Sequence, residues 1–282
     1  MGSVAETETS QKQTHPLDYA QQKSHTNNII EFHCTGFSKF FKVPINPSEL
    51  LMQELQKLVD NEKMYSHSHS TIVLASTTVL KTDARKSALR LKELYRDRHK
   101  CGESERNDNN ATSGEEGIER RRACRKVFLH CGVDVGSPRF RLELQCVNEA
   151  TFTCPDEGGW SPCKRCIEPN NDISRKRTTA LPISDIANRL RRRGFDTEVS
   201  YDAGRFVCNW VYYNSLKLAA ETEDCTALFL HVPDLKTLPL QHQVAFVRAL
   251  LQEIAELPSL QPKNLSTAPN SAALPALQGA LV

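Results

Sequence analysis

A cysteine stands where an apolar helical pattern begins, in the stretch DAGRFVCNWVYY that runs from Asp202 to Tyr213. This residue, Cys208, follows polar residues and a glycine. The first turn of an α-helix carries unpaired N–H groups and a partial positive charge, which favour the thiolate form of a cysteine. Because an isolated buried cysteine is usually inert core filler, the position predicts a nucleophile only if a base lies nearby.

Two further residues are placed where they can serve this thiol. His231 closes the apolar run ALFLHVP, and Glu143 lies beyond the apolar run VFLHCGV. An imidazole with a pKa near ~6.5 can take a proton from a thiol at neutral pH, and a carboxylate can fix its tautomer. Since the chain holds nine His and ten Cys, spacing alone leaves other pairings open.

The elements that must position these side chains alternate between strand and helix. Strand-like apolar runs begin at residue 29 and cover residues 70–80, 127–133 and 227–233, and helical patterns cover residues 47–59, 84–98, 184–195 and 240–257. Ser48 and Ser184 are the predicted N-caps of two helices, and Gly194 is the predicted end of one. The alternation predicts a three-layer α/β/α sandwich around a central, mostly parallel (mixed) sheet, with sites at the carboxyl ends of strands.

Polar segments divide the chain. Residues 1–28 and 258–282 are predicted to be a disordered arm and tail, and residues 100–126 a polar insertion, so that one domain spans residues 29–257. The net charge of +2 gives no field that would attract nucleic acid or a membrane. No long apolar run or export signal is visible, so the ten cysteines are predicted to be reduced and the protein cytoplasmic. The oligomeric state is left open.

A Cys-x-x-Cys pair, Cys163 and Cys166, offers an alternative function. With Cys146 and Cys154 upstream it imitates part of a zinc site, but a second such pair or a histidine pair is missing from the pattern. A redox pair favours the first turn of a helix, whereas prolines frame this segment. A metal or redox module therefore remains the weaker reading, and no cofactor is predicted.

Four separated segments resemble the pyroglutamyl-peptidase I family, also called the pyrrolidone-carboxylate peptidases, and its plant-like members in particular. The segments are CTGFSKFFKVPINPSE, HCGVDVGSPRFRLELQCVNEATFTCPDEGG, DAGRFVCNWVYYNSL and LFLHVP. They appear in the family's order and cover about residues 29–257 apart from the insertion.

This resemblance implies a cysteine exopeptidase that removes an N-terminal pyroglutamyl residue from peptides through an acyl-enzyme, without a cofactor. Cys208 would be the nucleophile, His231 the general base and Glu143 the acidic third member. The resemblance also implies an apolar slot for the pyroglutamyl ring, lined by Phe37, Phe40, Phe206 and Val207.

One position departs from the family pattern. Many members carry an arginine ten positions after the catalytic acid, and this chain has Thr153 there. Loss of a cation aimed at developing negative charge costs about 10²–10³ in rate. The alternative function is therefore a catalytically impaired member that binds pyroglutamyl peptides or a protein partner.

Overall fold

The computed structural model describes residues 28–41, 43–60, 65–67, 70–96 and 124–260. Most of the predicted arm, insertion and tail lie outside the described residues. Within the described part of the chain, no helix is long and apolar enough to cross a membrane.

A central sheet of seven strands organises the molecule. The strands are β1 (Asn28–Phe37), β2 (Tyr65–His67), β3 (Ser70–Leu80), β4 (Cys124–Val133), β5 (Phe140–Glu143), β8 (Thr197–Ser200) and β9 (Cys225–Val232), and a separate antiparallel pair is formed by β6 (Gln145–Val147) and β7 (Lys176–Thr178). The seven strands lie in the order β2-β3-β1-β4-β9-β5-β8. Strands β3, β1, β4 and β9 run parallel, whereas β2 and β5 pair antiparallel with their neighbours β3 and β9. The predicted mostly parallel, mixed sheet is confirmed.

Helices cover both faces of this sheet. They are α1 (Pro47–Asp60), α2 (Ala84–Arg96), α3 (Ile183–Arg192), α4 (Val207–Ala220) and α5 (Leu240–Ala255), followed by a 3-10 turn at Pro258–Leu260. Helices α1, α3 and α5 pack on one face, and α2 and α4 pack on the other. The predicted three-layer sandwich is therefore confirmed.

Strand alternation decides which side chains meet α4. In β4, Leu129 and Cys131 join the core beneath α1, α3 and α5, while Phe128 points to the opposite core beneath α2 and α4. Successive side chains of a strand point to opposite faces. Gly132 of β4 and His231, its in-register partner in β9, consequently lie on the α4 face.

Two of the three predicted helix boundaries need correction. Helix α1 begins before Ser48, and the Oδ1 atom of Asn46 accepts the Ser48 N–H at 3.1 Å, so Asn46 does the capping. Helix α3 starts without a side-chain cap, so the N-cap assignment of Ser184 is wrong. Gly194 has a φ of +87° just past the end of α3, as predicted for a helix-ending glycine.

The predicted insertion extends too far towards β4. Its last three residues belong to this strand, and Arg125 pairs in register with Ile30 of β1. The charged side chains of Arg125 and Lys126 suggested a solvent-exposed loop. A strand can nevertheless carry such side chains at its end, because successive side chains point to opposite faces. Beside them, the side-chain amide of Asn28 donates to the carbonyl of Leu260 at 2.7 Å, so the first and last described residues meet at the amino end of β1.

Candidate active site

Cys208 lies in the first turn of α4, where the sequence predicted a helix start. Its Sγ atom packs against β4 so closely that a Cβ atom on Gly132 would lie 2.9 Å from it. The preceding loop turns at Gly204, which has a φ of +77°. Phe206 at the N-cap position makes no side-chain capping hydrogen bond. The first N–H groups of α4 therefore remain available to a ligand.

His231 faces this cysteine from β9. Its Nδ1 atom lies 2.7 Å from Oε1 of Glu143, and Cys208 is close enough for its side chain to raise the pKa of the ring. Because the carboxylate is bonded to Nδ1, Nε2 is the ring nitrogen that can exchange a proton with the sulfur. The structure thus brings together the three residues that the sequence proposed for chemistry.

Glu143 reaches His231 by a route that differs from the expected one. The sequence predicted that Glu143 would follow a parallel strand, at the same edge of the sheet as the other two residues. Glu143 instead lies within β5, which is antiparallel to β9. Arg141 is the in-register partner of His231, and Glu143 lies two positions further along the same face. The Glu143 side chain is fully buried, and its Oε2 atom has no hydrogen-bond partner among the described residues. Among the described residues, the hydrogen bond to His231 is therefore the one that this carboxylate makes.

The surroundings of His231 favour its charged form. Burial lowers the pKa of His231, but the hydrogen bonds and negative charges of Cys208 and Glu143 outweigh burial and raise the pKa to about 10. The imidazole is therefore protonated at neutral pH when it faces a thiolate. A thiolate–imidazolium pair is the state from which a cysteine attacks a carbonyl.

A second histidine on the same face has the opposite character. His130 in β4 is fully buried, and its ring lies 2.8 Å from Oγ1 of Thr35 and 2.6 Å from Oγ of Ser215. Burial lowers the pKa of His130 to about 3. This neutral, fully bonded histidine is a structural group rather than a base.

Comparison with known proteins relates this arrangement to a family. A family model described as pyroglutamyl peptidase matches residues 117–251. The pyrrolidone-carboxylate peptidase of Chromobacterium violaceum is 33% identical over 131 residues, which are 46% of this chain and 60% of that protein. The human pyroglutamyl-peptidase 1-like protein is 27% identical over 132 residues, or 46% of this chain and 64% of that one. The chain thus spans less than two thirds of the length of these curated relatives.

Solved structures extend the match beyond those segments. The pyrrolidone carboxyl peptidase of Fervidobacterium islandicum is 26% identical, with a TM-score of 0.61, over 80% of this chain and 99% of that one. In sequence and in fold, this chain is similar to the pyroglutamyl peptidases. The pyroglutamyl peptidase I of Bacillus amyloliquefaciens, 20% identical with a TM-score of 0.61 over 80% of this chain and 95% of its own, shares the fold.

The four residues predicted to line the ring slot fall into two pairs. Phe37 and Val207 are buried in the core beneath α2 and α4. Phe40 and Phe206 are partly exposed, and their ring centroids lie 5.8 Å apart. Only the second pair therefore offers ring surface that a ligand can reach directly, with the first pair packed in the core.

Sequence reasoning missed an aromatic series that continues from Phe206. The ring of Phe152 meets it edge-on at 4.7 Å, Trp160 lies 5.4 Å from Phe152, and Trp210 lies 5.0 Å from Trp160. The guanidinium of Arg85 lies 4.8 Å from the Trp160 ring centre. Phe152 and Trp160 belong to the irregular loop between β6 and β7, and the only signal for them was aromatic residues in an otherwise polar stretch.

Asn209, directly after the cysteine, is a second missed residue. Its Nδ2 atom donates to the carbonyls of Val147 and Glu149, both at 2.9 Å, and its Oδ1 atom accepts the Val147 N–H at 3.0 Å. This buried amide ties the start of α4 to the loop that carries Phe152. Its position in the cysteine motif was the available signal.

Thr153 brings no cation to the site. The side chain is exposed. Arg205, which precedes Phe206 in the chain, is engaged by Oε2 of Glu149 at 3.1 Å and by Oδ1 of Asp202 at 2.6 Å. The N–H groups at the start of α4 are therefore the donors that the structure offers near the sulfur.

The cysteines of the alternative metal or redox module do not converge. Cys163 is exposed, the Cys166 thiol faces the carbonyl of Asn171 at 3.5 Å, and the Cys146 thiol faces that of Arg177 at 3.6 Å. Among the residues that the structure describes, no group of three or more His, Cys, Asp or Glu side chains could hold a metal ion. The geometry gives no support to this alternative.

Proposed function

We propose that this chain is a cysteine omega-peptidase that hydrolyses the amide bond after an N-terminal pyroglutamyl residue of a peptide. The observation that carries the proposal is the grouping of Cys208, at the start of α4, with His231 and with the Glu143 carboxylate that is hydrogen-bonded to His231. Similarity to known proteins supports the choice of substrate, since the similar proteins are named as pyroglutamyl or pyrrolidone-carboxylate peptidases.

The chemistry follows from the charges of the three groups. The Cys208 thiolate attacks the carbonyl carbon of the pyroglutamyl residue, and N–H groups at the start of α4 stabilise the resulting oxyanion. The imidazolium of His231 donates its proton to the leaving amine, which leaves a thioester. His231 then takes a proton from water, and the resulting hydroxide attacks the thioester carbonyl. This step releases pyroglutamate and restores the pair of Cys208 thiolate and His231 imidazolium. Glu143 keeps the imidazole in the required orientation throughout.

The proposed ring slot is formed by the surfaces of Phe40 and Phe206, with Phe37 and Val207 behind them. A pyroglutamyl ring is flat and carries no ammonium group, so it suits an aromatic surface. Burying one face of such a ring contributes on the order of 1–3 kcal/mol.

We propose the cytoplasm as the compartment of this activity. All nine cysteines in the described ranges are free, including the nucleophile. Free thiols persist where glutathione and thioredoxin keep them reduced.

The test compares two serine variants in the hydrolysis of a pyroglutamyl aminomethylcoumarin amide. Cys208→Ser should lower kcat by at least about 10³, because the hydroxyl is a much weaker nucleophile in a site built for a thiolate. Cys163→Ser, the same exchange at an exposed cysteine, should keep the activity of the parent, and iodoacetamide should inactivate both the parent and Cys163→Ser.

Hydrolysis that survives Cys208→Ser would reject the proposed nucleophile. If the parent binds a pyroglutamyl peptide in a calorimeter and does not turn it over, the alternative of a non-catalytic binding protein is the correct one.

A further inference from the structure

A cleft of about 330 Å³ lies between β5, β8 and the loop that joins β4 to β5. Its charged and hydroxyl lining comes from Asp134, Ser137, Arg139, Arg141 and Glu198. The volume is at the lower end of the ~300–1,000 Å³ that small-molecule sites occupy. None of these side chains has a role in the proposed chemistry.

The strand pairing places part of the lining of this cleft next to His231. Arg141 is the in-register partner of His231 in the antiparallel pair of β5 and β9, so the two side chains leave the sheet on the same face. The N–H of Asp134 donates to the carbonyl of Val232, the residue after His231, at 2.9 Å. Two residues that line the cleft, Asp134 and Arg141, are therefore neighbours of the β9 segment that carries His231.

The order of the strands separates this cleft from the aromatic slot. Across the sheet, β1, β4, β9 and β5 are successive neighbours. The loop that carries Phe40 follows β1, and Cys208 packs on Gly132 of β4. His231 is the penultimate residue of β9, and Arg141 lies on β5. From the sulfur, the aromatic rings lie towards β1 and the cleft lies towards β5.

In this arrangement the pyroglutamyl ring and the leaving peptide of a substrate lie on different sides of the sulfur. His231 must reach the nitrogen of the leaving amine to donate its proton. With the pyroglutamyl ring on the Phe40 side of the sulfur, the leaving peptide passes over His231 and enters the cleft.

The hydrogen bonds inside the cleft decide what it can accept. Nη1 of Arg141 binds Asp134 at 2.6 Å, its Nε lies 2.9 Å from Oε1 of Glu198, and its Nη2 donates to Ser200 at 3.0 Å. Both carboxylates are thus already engaged by one guanidinium. Arg139 is half exposed; its Nε atom lies 3.0 Å from an exposed aspartate and its Nη1 atom lies 3.9 Å from Oε2 of Glu198. The N–H donors that remain on this exposed guanidinium pair best with carboxylate and carbonyl oxygens.

We propose that this cleft binds the amino acid that follows pyroglutamate and favours leaving groups that present a carboxylate, such as the free carboxyl terminus of a dipeptide. The inference rests on the proposed function, because the direction of the leaving peptide follows from the role of His231. Arg139 is the residue that determines this preference at the outer end of the cleft.

The test measures kcat/KM for three pyroglutamyl substrates: pyroglutamyl-alanine, pyroglutamyl-alaninamide and the aminomethylcoumarin amide. Arg139→Glu should lower kcat/KM for pyroglutamyl-alanine by about tenfold, a factor somewhat above the removal of one exposed ion pair because the charge is reversed. The values for the other two substrates should change by less than about twofold. Lys92→Glu, an equal change of charge at an exposed position of α2, should change none of the three.

The ratio of kcat/KM between the acid and the amide decides the inference. A ratio that is the same in Arg139→Glu and in the parent, while the coumarin amide is still hydrolysed, overturns the proposed cleft and leaves the proposed function intact. A parent protein that hydrolyses none of the three substrates overturns both.

Discussion

The charge of His231 depends on its bond to Glu143. The carboxylate and the thiolate together raise the pKa of this buried imidazole against the effect of burial. The exchange Glu143→Gln keeps the size of the side chain and removes its charge, so the pKa of His231 should fall. In the proposed mechanism the protonated form of His231 is then lost at lower pH, and the alkaline limb of the kcat–pH profile should move to lower pH. At neutral pH, kcat should fall by about 10²–10⁴.

Steady-state rates with the coumarin amide between pH 6 and 10 measure both effects. The control is Gln252→Glu, because α5 lies on the face of the sheet opposite to the catalytic residues. Gln145→Glu would be a poor control because it adds a negative charge close to Glu143. An alkaline limb that does not move in Glu143→Gln would show that the carboxylate does not set the charge of His231.

His130 should make the stability of the protein sensitive to acid. Burial holds its pKa at about 3 in the folded state, against ~6.5 in the unfolded chain. Below pH ~6.5 only the unfolded state binds this proton, so the free energy of unfolding falls by up to about 1.4 kcal/mol for each pH unit until the folded pKa is reached. His231 acts in the other direction, since its raised pKa makes its contribution decline only as pH rises from ~6.5 towards about 10.

Urea unfolding at pH 5, 6 and 7 separates this contribution from the others. His130→Gln should be less stable than the parent at pH 7, because its hydrogen bonds to Thr35 and Ser215 are disturbed. Its stability should, however, decline less steeply between pH 7 and 5. Equal slopes in the two proteins would contradict a buried neutral imidazole at this position.

At the scale of elements, the approach of α4 to β4 depends on one glycine. A Cβ atom on Gly132 would lie 2.9 Å from Sγ of Cys208 and 2.9 Å from the ring of Phe229. Since the ring is held in the core, the substitution Gly132→Ala should displace the start of α4 and its sulfur. A displacement of about 1 Å is enough to lower a rate by about 10², so kcat/KM for the coumarin amide should fall by roughly this factor.

Thermal unfolding of Gly132→Ala checks that the loss is local. We expect a folded protein with a lower melting temperature, in which iodoacetamide modifies Cys208 more slowly than in the parent. Parental activity in a folded Gly132→Ala would mean that the contact between β4 and α4 does not position the nucleophile.

The sequence predicted the elements better than it predicted their directions and ends. Long apolar runs identify β4 and β9 because strands buried on both faces need them. The antiparallel direction of β5 has no local signal, since the four residues Phe140–Glu143 alternate in the same way in either direction. The N-caps at Ser48 and Ser184 were misplaced because each serine is the second residue of its helix, which begins one residue earlier at Pro47 or Ile183.

In the candidate site, too, some residues have a local signal in the sequence and others have none. Cys208 and His231 are each marked by a change of pattern, a helix start and a strand end, and the family resemblance joined them to Glu143. Phe152 and Trp160 lie in a loop without periodicity, so only the folded chain shows that they continue the aromatic surface of Phe206.

At the scale of the whole molecule, one carboxylate attaches the long loop between β6 and β7 to α4. Glu168 accepts hydrogen bonds from Arg177 at 3.0 Å and from the hydroxyl of Tyr213 at 3.1 Å, and it forms an ion pair with Lys217 at 2.9 Å. The bonds to Lys217 and Arg177, acting against partial burial, lower the pKa of Glu168 to about 2. This contribution to stability is present above pH ~4.3 and declines as the pH falls towards the folded pKa. The attachment that carries Phe152 and Trp160 is thus retained at neutral pH.

The hydrogen bond between Asn28 and Leu260 brings two distant parts of the chain close enough for circular permutation. A short peptide bridging these neighbours, with fresh termini placed after Arg96 and before Cys124, should yield a circular permutant that folds and hydrolyses the coumarin amide at a rate within about threefold of the parent. The bridge sits at the amino end of β1, ten residues or roughly 33 Å from the catalytic edge. A folded but inactive permutant would contradict this expectation, whereas an active one would supply a fusion point for reporters or affinity handles far from substrate entry.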